Sequence, residues 1–168
     1  MKIEIRKEKP ADIDAIFSVT EKAFLNAQHT QHTEQFIVNA LRNNQALSLS
    51  LVALHNNIIV GHVAFSPVSI SGCHQHWLGV GPISVLPHLQ NRGIGAQLMQ
   101  AGLDWLANVG IDGCVLVGDP RFYSRFGFSA QHGLILPEVP AEYLLAKSIS
   151  GVIPQGIVTF NEAFQAKQ

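Results

Sequence analysis

Acidic side chains are missing from a long stretch of this chain: residues 35–103 hold neither Asp nor Glu. Charge is scarce throughout, at 14% of 168 residues against roughly 25% in an average soluble domain. Hydrophobic residues reach 47%, and a chain so apolar and so weakly charged is not intrinsically disordered. Eleven Lys plus Arg against twelve Asp plus Glu leave a formal charge of −1. That balance lacks the global attraction on which non-specific nucleic-acid and anionic-membrane binding depend, so neither partner is expected, while a local anion site is compatible with it. No apolar run approaches the roughly 18 residues of a membrane span, and Met1–Glu8 alternates charged with apolar residues in place of a signal sequence's apolar core. A cytoplasmic location is the expectation. The two cysteines, Cys73 and Cys114, are too few for a disulfide framework and read as thiols in a reducing compartment, more simply buried than reactive. Neither G-x-x-x-x-G-K-[ST] nor G-x-G-x-x-G occurs, so the two standard nucleotide loops are excluded.

What is present reads as one α/β domain over residues 1–168, with no repeat, linker or low-complexity tract to divide it. Ile3 and Ile5 alternate with polar residues as a strand does. Pro10 opens a helix over Ala11–Phe24, Asn26–Thr33 is a polar loop, and Phe36, Ile37, Ala40 and Leu41 mark a second helix ending near Asn43-Asn44. Leu49–Leu54 and Ile58–Ser66 flank His55-Asn56-Asn57 as a β-hairpin. Trp77–Val85 is strand-like, but Gly79, Gly81 and Pro82 interrupt its ladder and predict a bulge or splay. Gly93–Val109 is the clearest helix, with Ile94, Leu98, Ala101 and Trp105 on one face and a stop at Gly110. Cys114–Gly118 is a short strand and Pro120–Phe126 a short helix. Pro137, Pro140 and Pro154 break the C-terminal third, where Gly156–Phe160 is the best remaining strand and little functional signal is legible.

The segment richest in chemistry is Gln90-Asn91-Arg92-Gly93-Ile94-Gly95, between the apolar Ile83-Ser84-Val85 and the clearest helix. Two glycines at a helix N-terminus let several free backbone N–H groups close on one ligand, and the helix dipole favours an anion such as a pyrophosphate. Arg92 adds a full charge. The same spacing also suits a plain strand-to-helix turn. Gln90-x-x-Gly93-x-Gly95 resembles the Q/R-x-x-G-x-G/A loop of the GNAT superfamily, the GCN-five-related N-acetyltransferases. Tyr123-Ser124-Arg125-Phe126-Gly127-Phe128 is similar to that superfamily's Y-x-[KR]-x-G-F segment and lies downstream at the expected distance. Gly118-Asp119-Pro120 and Phe160-Asn161-Glu162-Ala163-Phe164 further resemble a bacterial branch of predicted acetyltransferases.

The resemblance implies a central mixed, mostly antiparallel sheet flanked by helices and splayed at the fourth strand. It implies an enzyme moving acetyl from acetyl-CoA, as co-substrate and without a metal, to a primary amine in a ternary complex. By resemblance, the amides of Gln90, Asn91, Arg92, Gly93, Ile94 and Gly95 hold the pyrophosphate, the Ile83-Ser84-Val85 main chain pairs with the pantetheine arm, and Tyr123 and Arg125 lie beside the cofactor. Tyr123 would protonate the departing thiolate; its alternative is an aromatic covering Phe126 and Phe128. The superfamily often carries a glutamate base on its fourth strand, which this chain lacks. His76, whose ordinary pKa of ~6.5 suits the role, and Glu21 and Glu34 on the N-terminal helices are the candidates, each equally readable as a surface residue. His29-x-x-His32 and Cys73-His74-x-His76 have ligand-like spacing but no second pair, so a zinc site is not expected. The acceptor would be a small-molecule or peptide amine; a homodimer is common among such folds but is not readable here. The rival readings are a catalytically silent CoA-binding module and a protein-interaction subunit.

Overall fold

The computed structural model describes residues 1–168. Strand β1 (Glu4–Lys7) leads through a 3-10 turn (Pro10–Asp12) to helices α1 (Ile13–Phe24) and α2 (Glu34–Asn43). Strands β2 (Leu49–His55), β3 (Ile58–Ile70) and β4 (Trp77–Val85) follow, then helix α3 (Ile94–Asn108), strand β5 (Gly113–Val117) and the single-turn helix α4 (Pro120–Tyr123). The chain ends with β6 (Leu134–Ile135), β7 (Leu144–Ser148), β8 (Gly156–Phe160) and a 3-10 turn at Glu162–Gln165. No helix is long and apolar enough to cross a membrane.

The sheet runs β1-β2-β3-β4-β5-β7, antiparallel except for β4 beside β5. This is the open, mostly antiparallel sheet expected. Side-chain alternation sorts the core. Leu49, Leu51 and Ala53 of β2 with Val63 and Phe65 of β3 pack with Leu98, Met99 and Leu106 of α3. The intervening Val52 and Leu54 meet Ile16 of α1 and Val38 of α2, and Ala64 meets Ile37 and Leu41. Strands sandwiched between helix layers are apolar on both faces, which is why β2 reads as a nearly unbroken hydrophobic run. Gly102 of α3 permits the closest approach: a Cβ there would overlap the ring of the fully buried Phe65.

The hairpin turn is Asn56-Asn57, both at positive φ, 50° and 64°, as a two-residue turn matching the twist of its strands requires. Strand β3 continues four residues past the expected Ser66, and its end, Val68–Ile70, pairs with β8. Strand β7 was not foreseen; Leu144-Leu145-Ala146 is too short for a period, and its buried pairing with β5 is decided by tertiary contact. The helix expected from Ala11 begins as a 3-10 turn, where the Asp12 carboxylate accepts from the Lys9 N–H and is clamped by Arg6 at 2.7 Å.

Candidate active site

The site begins where β4 and β5 part. They are paired at Trp77–Gly113, Leu78–Cys114 and Gly79–Val115 and nowhere beyond. On its other edge β4 stays paired with β3, but the register slips between Val63 and Phe65, opposite Gly81-Pro82; Gly81 takes φ +132°, a conformation that side chains with a Cβ rarely adopt. The bulge expected from Gly79, Gly81 and Pro82 is therefore present, and it opens the sheet. Leu86 donates to Val60 O, so by the two-residue period Ser84 bonds back to His62 while Ile83 and Val85 turn their amides and carbonyls into the opening. The Gln90 side chain donates to Val85 O at 3.0 Å and ties the strand to the following loop. This refines the sequence expectation twice: the Ser84 main chain is occupied, and Gln90 acts through its side chain, its own N–H being bonded to Pro87 O.

Beyond Gln90 the backbone supplies donors. Gly93 precedes α3 at φ +85°, and the N–H groups of six successive residues, Asn91 to Ala96, have no partner within the protein. A Cβ on Gly95 would stand 3.6 Å from Phe122 and 3.9 Å from Val85, in the gap between α3 and the opened strand; around Gly93 the space is empty. Arg92 is exposed and outside the three ion pairs of the chain. Arg125 lies over the Phe122 ring at 4.8 Å and donates to Phe122 O.

A cavity of about 930 Å³ fills the opening, lined by Val80–Ile83, Val117, Tyr123, Phe24, Glu34, Ile37, Leu136–Val139, Ile157–Glu162, Phe164 and Gln165. Tyr123 is placed by Gly118-Asp119-Pro120. Asp119 caps α4 by accepting from Arg121 N at 2.9 Å, and a Cβ on Gly118 would overlap the tyrosine ring. The ring packs edge-on against Phe122 and Phe128, so the packing and cavity roles coexist. Burial, and then Asp119, push its phenol up to about 12, leaving it neutral and able to donate at ordinary pH.

Of the candidate bases, only Glu34 lines the cavity. As the first residue of α2 it accepts from the Thr30 hydroxyl through Oε2 at 2.5 Å, while Oε1 is buried without a partner. Glu21 is exposed, one turn before the cavity-lining Phe24. His76 is also exposed and outside the cavity, its backbone held by Asp112, and four strand residues, about 13 Å, separate it from Val80. Cys114 is fully buried, and that burial pushes its thiol up to about 12. No group of three or more His, Cys, Asp or Glu side chains converges in a geometry that could hold a metal ion.

The C-terminal third, expected to carry little function, contributes about half of the cavity wall. Residues 136–139 form a turn, and Phe160 and Phe164 stack at 5.1 Å. The one sequence signal for this wall was the segment Phe160–Phe164; the turn has no periodicity to betray it.

The acetyltransferase (GNAT) family model matches residues 13–128, which takes in the open strand, the amide loop and the tyrosine segment. The chain belongs to the GNAT acetyltransferase family. The uncharacterized N-acetyltransferase YhbS of Escherichia coli K12 is 37% identical over 133 residues, 77% of each chain. Among solved structures, a GNAT family acetyltransferase from Brucella melitensis in complex with acetyl-CoA is 43% identical, with a TM-score of 0.87 over 97% of this chain and 98% of that one. The YhbS structure in complex with CoA is 32% identical, also at 0.87, over 98% and 93%. This member of the family thus shares its fold over nearly its whole length with GNAT family acetyltransferases.

Proposed function

We propose that this protein transfers the acetyl group of acetyl-CoA to a primary amine by direct attack within a ternary complex. The observation that carries the reading is the set of backbone groups that the opened strand and the next loop leave available: Ile83, which lines the cavity holding Tyr123 and Glu34, then the Val85 N–H, then the unpaired amides of Asn91–Ala96. These groups fit the cofactor. Six amides at a helix N-terminus suit a pyrophosphate, and a strand edge with free donors and acceptors suits the amides of a pantetheine arm. Bound acetyl-CoA supplies an activated thioester, and the remaining chemistry belongs to the chain.

The amine nitrogen bonds to the acyl carbon as the C–S bond breaks. The amine proton passes through water to Glu34, whose Oε1 has an open acceptor position. The sulfur receives a proton from the Tyr123 hydroxyl, which solvent then restores. A thiol pKa of ~8.5 makes this leaving group weakly basic, so the phenol contributes modestly. Because Cys114 is sealed in the core, direct attack needs no acyl-enzyme there.

The test is a thiol-release screen of the purified protein with acetyl-CoA against amines, polyamines, amino acids and peptides. Acceptor-dependent release with a matching acetylated product supports the reading. Tight CoA binding with no release for any acceptor would replace it with the silent CoA-binding module.

A further inference from the structure

The charged side chains that line the cavity are all of one sign. Its lining includes Glu34, Glu138 and Glu162 and no Lys, Arg or His. These carboxylates come from three separate segments, the start of α2, the turn after β6 and the 3-10 turn after β8, in a chain with only twelve acidic residues. None of the three is in an ion pair. Glu34 Oε1 is buried and unpartnered in the wall, whereas Glu138 and Glu162 are exposed at the rim. Glu138 stands at φ +70°, a position where glycine or asparagine would be relaxed, and strain of this kind clusters at ligand clamps. Most of the remaining wall is apolar, with Phe24, Ile37, Val139, Ile157, Phe160 and Phe164 outnumbering the uncharged polar Thr159, Asn161 and Gln165.

We infer that the acceptor is a small cationic amine with an apolar aliphatic or aromatic body and no carboxylate. This rests on the acetyl-transfer reading above and names its substrate class. An ammonium entering past Glu138 and Glu162 finds like-signed attraction throughout, and its N–H can satisfy the orphaned Glu34 oxygen, while the hydrocarbon body covers the phenylalanines. An amino acid would bring its own carboxylate into a site with three others and no counter-cation, and like charges so juxtaposed are strongly disfavoured.

Matched pairs differing only in an α-carboxylate test this: 2-phenylethylamine against phenylalanine, and pentylamine against norleucine. Each is titrated calorimetrically into CoA-saturated protein and assayed for thiol release with acetyl-CoA. The expected result is binding at least about tenfold tighter for each amine than for its amino acid, a preference reduced severalfold by Glu34→Gln and by the double change Glu138→Gln with Glu162→Gln. Equal or tighter binding of the amino acids, a lysine peptide outcompeting both amines, or a preference indifferent to all three carboxylates would overturn the assignment. Binding of none of the compounds would overturn it as well. Selective amine binding without thiol release would support the ligand class and sink the transfer chemistry, so the two failures are separable.

Discussion

Replacing Gly95 by Val tests the phosphate cradle with the fold left intact. The residue is the second of α3, where valine is a better helix former than glycine, and the new Cβ would sit 3.6 Å from Phe122, an ordinary contact. Folding is therefore expected to survive, as a thermal melt would check. The added methyls occupy the gap between Phe122 and Val85 and hold a ligand away from the first-turn amides. Each charge-assisted hydrogen bond is worth roughly 1.5–3 kcal/mol. If two of the six free amides are denied to the pyrophosphate, about 3–6 kcal/mol of interaction is lost. The loop is exposed, so water re-solvates the stranded donors, and the low end of that range applies, a weakening of about 100-fold. Calorimetric titration with CoA reads this directly. Pantetheine, which lacks the phosphates, serves as the control and should lose much less. A folded variant with unchanged CoA affinity would refute the cradle, and equal losses for both ligands would place the effect on the pantetheine channel.

Four further outcomes follow from the geometry. Tyr123→Phe should lower kcat about tenfold with CoA affinity kept, because the ring packing remains and only the hydroxyl goes; an unchanged kcat under chemistry-limited conditions would make the tyrosine purely structural. His76→Gln should leave kcat/KM unchanged, while Glu34→Gln should lower it; a loss in the His76 variant alone would reverse the assignment. Buried His62 donates from Nε2 to Ser50, whose own hydroxyl donates to Glu8, and its Nδ1 has no partner; burial lowers its pKa from 6.5 to about 4. The unfolded chain thus takes up this proton at higher pH than the folded one, so stability is full above about pH 6.5 and falls by about 3 kcal/mol toward pH 4, a slope that denaturant titrations should show and that His62→Gln should flatten. Gly102→Ala should destabilise by roughly 1–3 kcal/mol through overpacking on Phe65, measured as a lower Tm; an unchanged Tm would mean that the helix–sheet contact yields.

Local chemistry was legible in the sequence. Gly93 and Gly95 before an amphipathic helix mark a loop of free amides, because unpaired N–H groups at a helix N-terminus are a property of the backbone and need no distant partner. Gly79, Gly81 and Pro82 foretold the opening of β4 for a similar reason, since glycine and proline interrupt a ladder wherever they stand. Only the tertiary structure separated Glu34, which lines the cavity, from Glu21 and His76, which stand exposed outside it, because the packing of helix and strand decides which of them reach the opening. It alone assembled the C-terminal wall, where short segments without periodicity are held by the pairing of β8 with β3 and of β6 with β8. It also turned Gln90 from a backbone donor into a side-chain tie, because the N–H its neighbours leave free is bonded to Pro87 O. Proximity between residues distant in sequence is settled by packing, and no spacing along the chain encodes it.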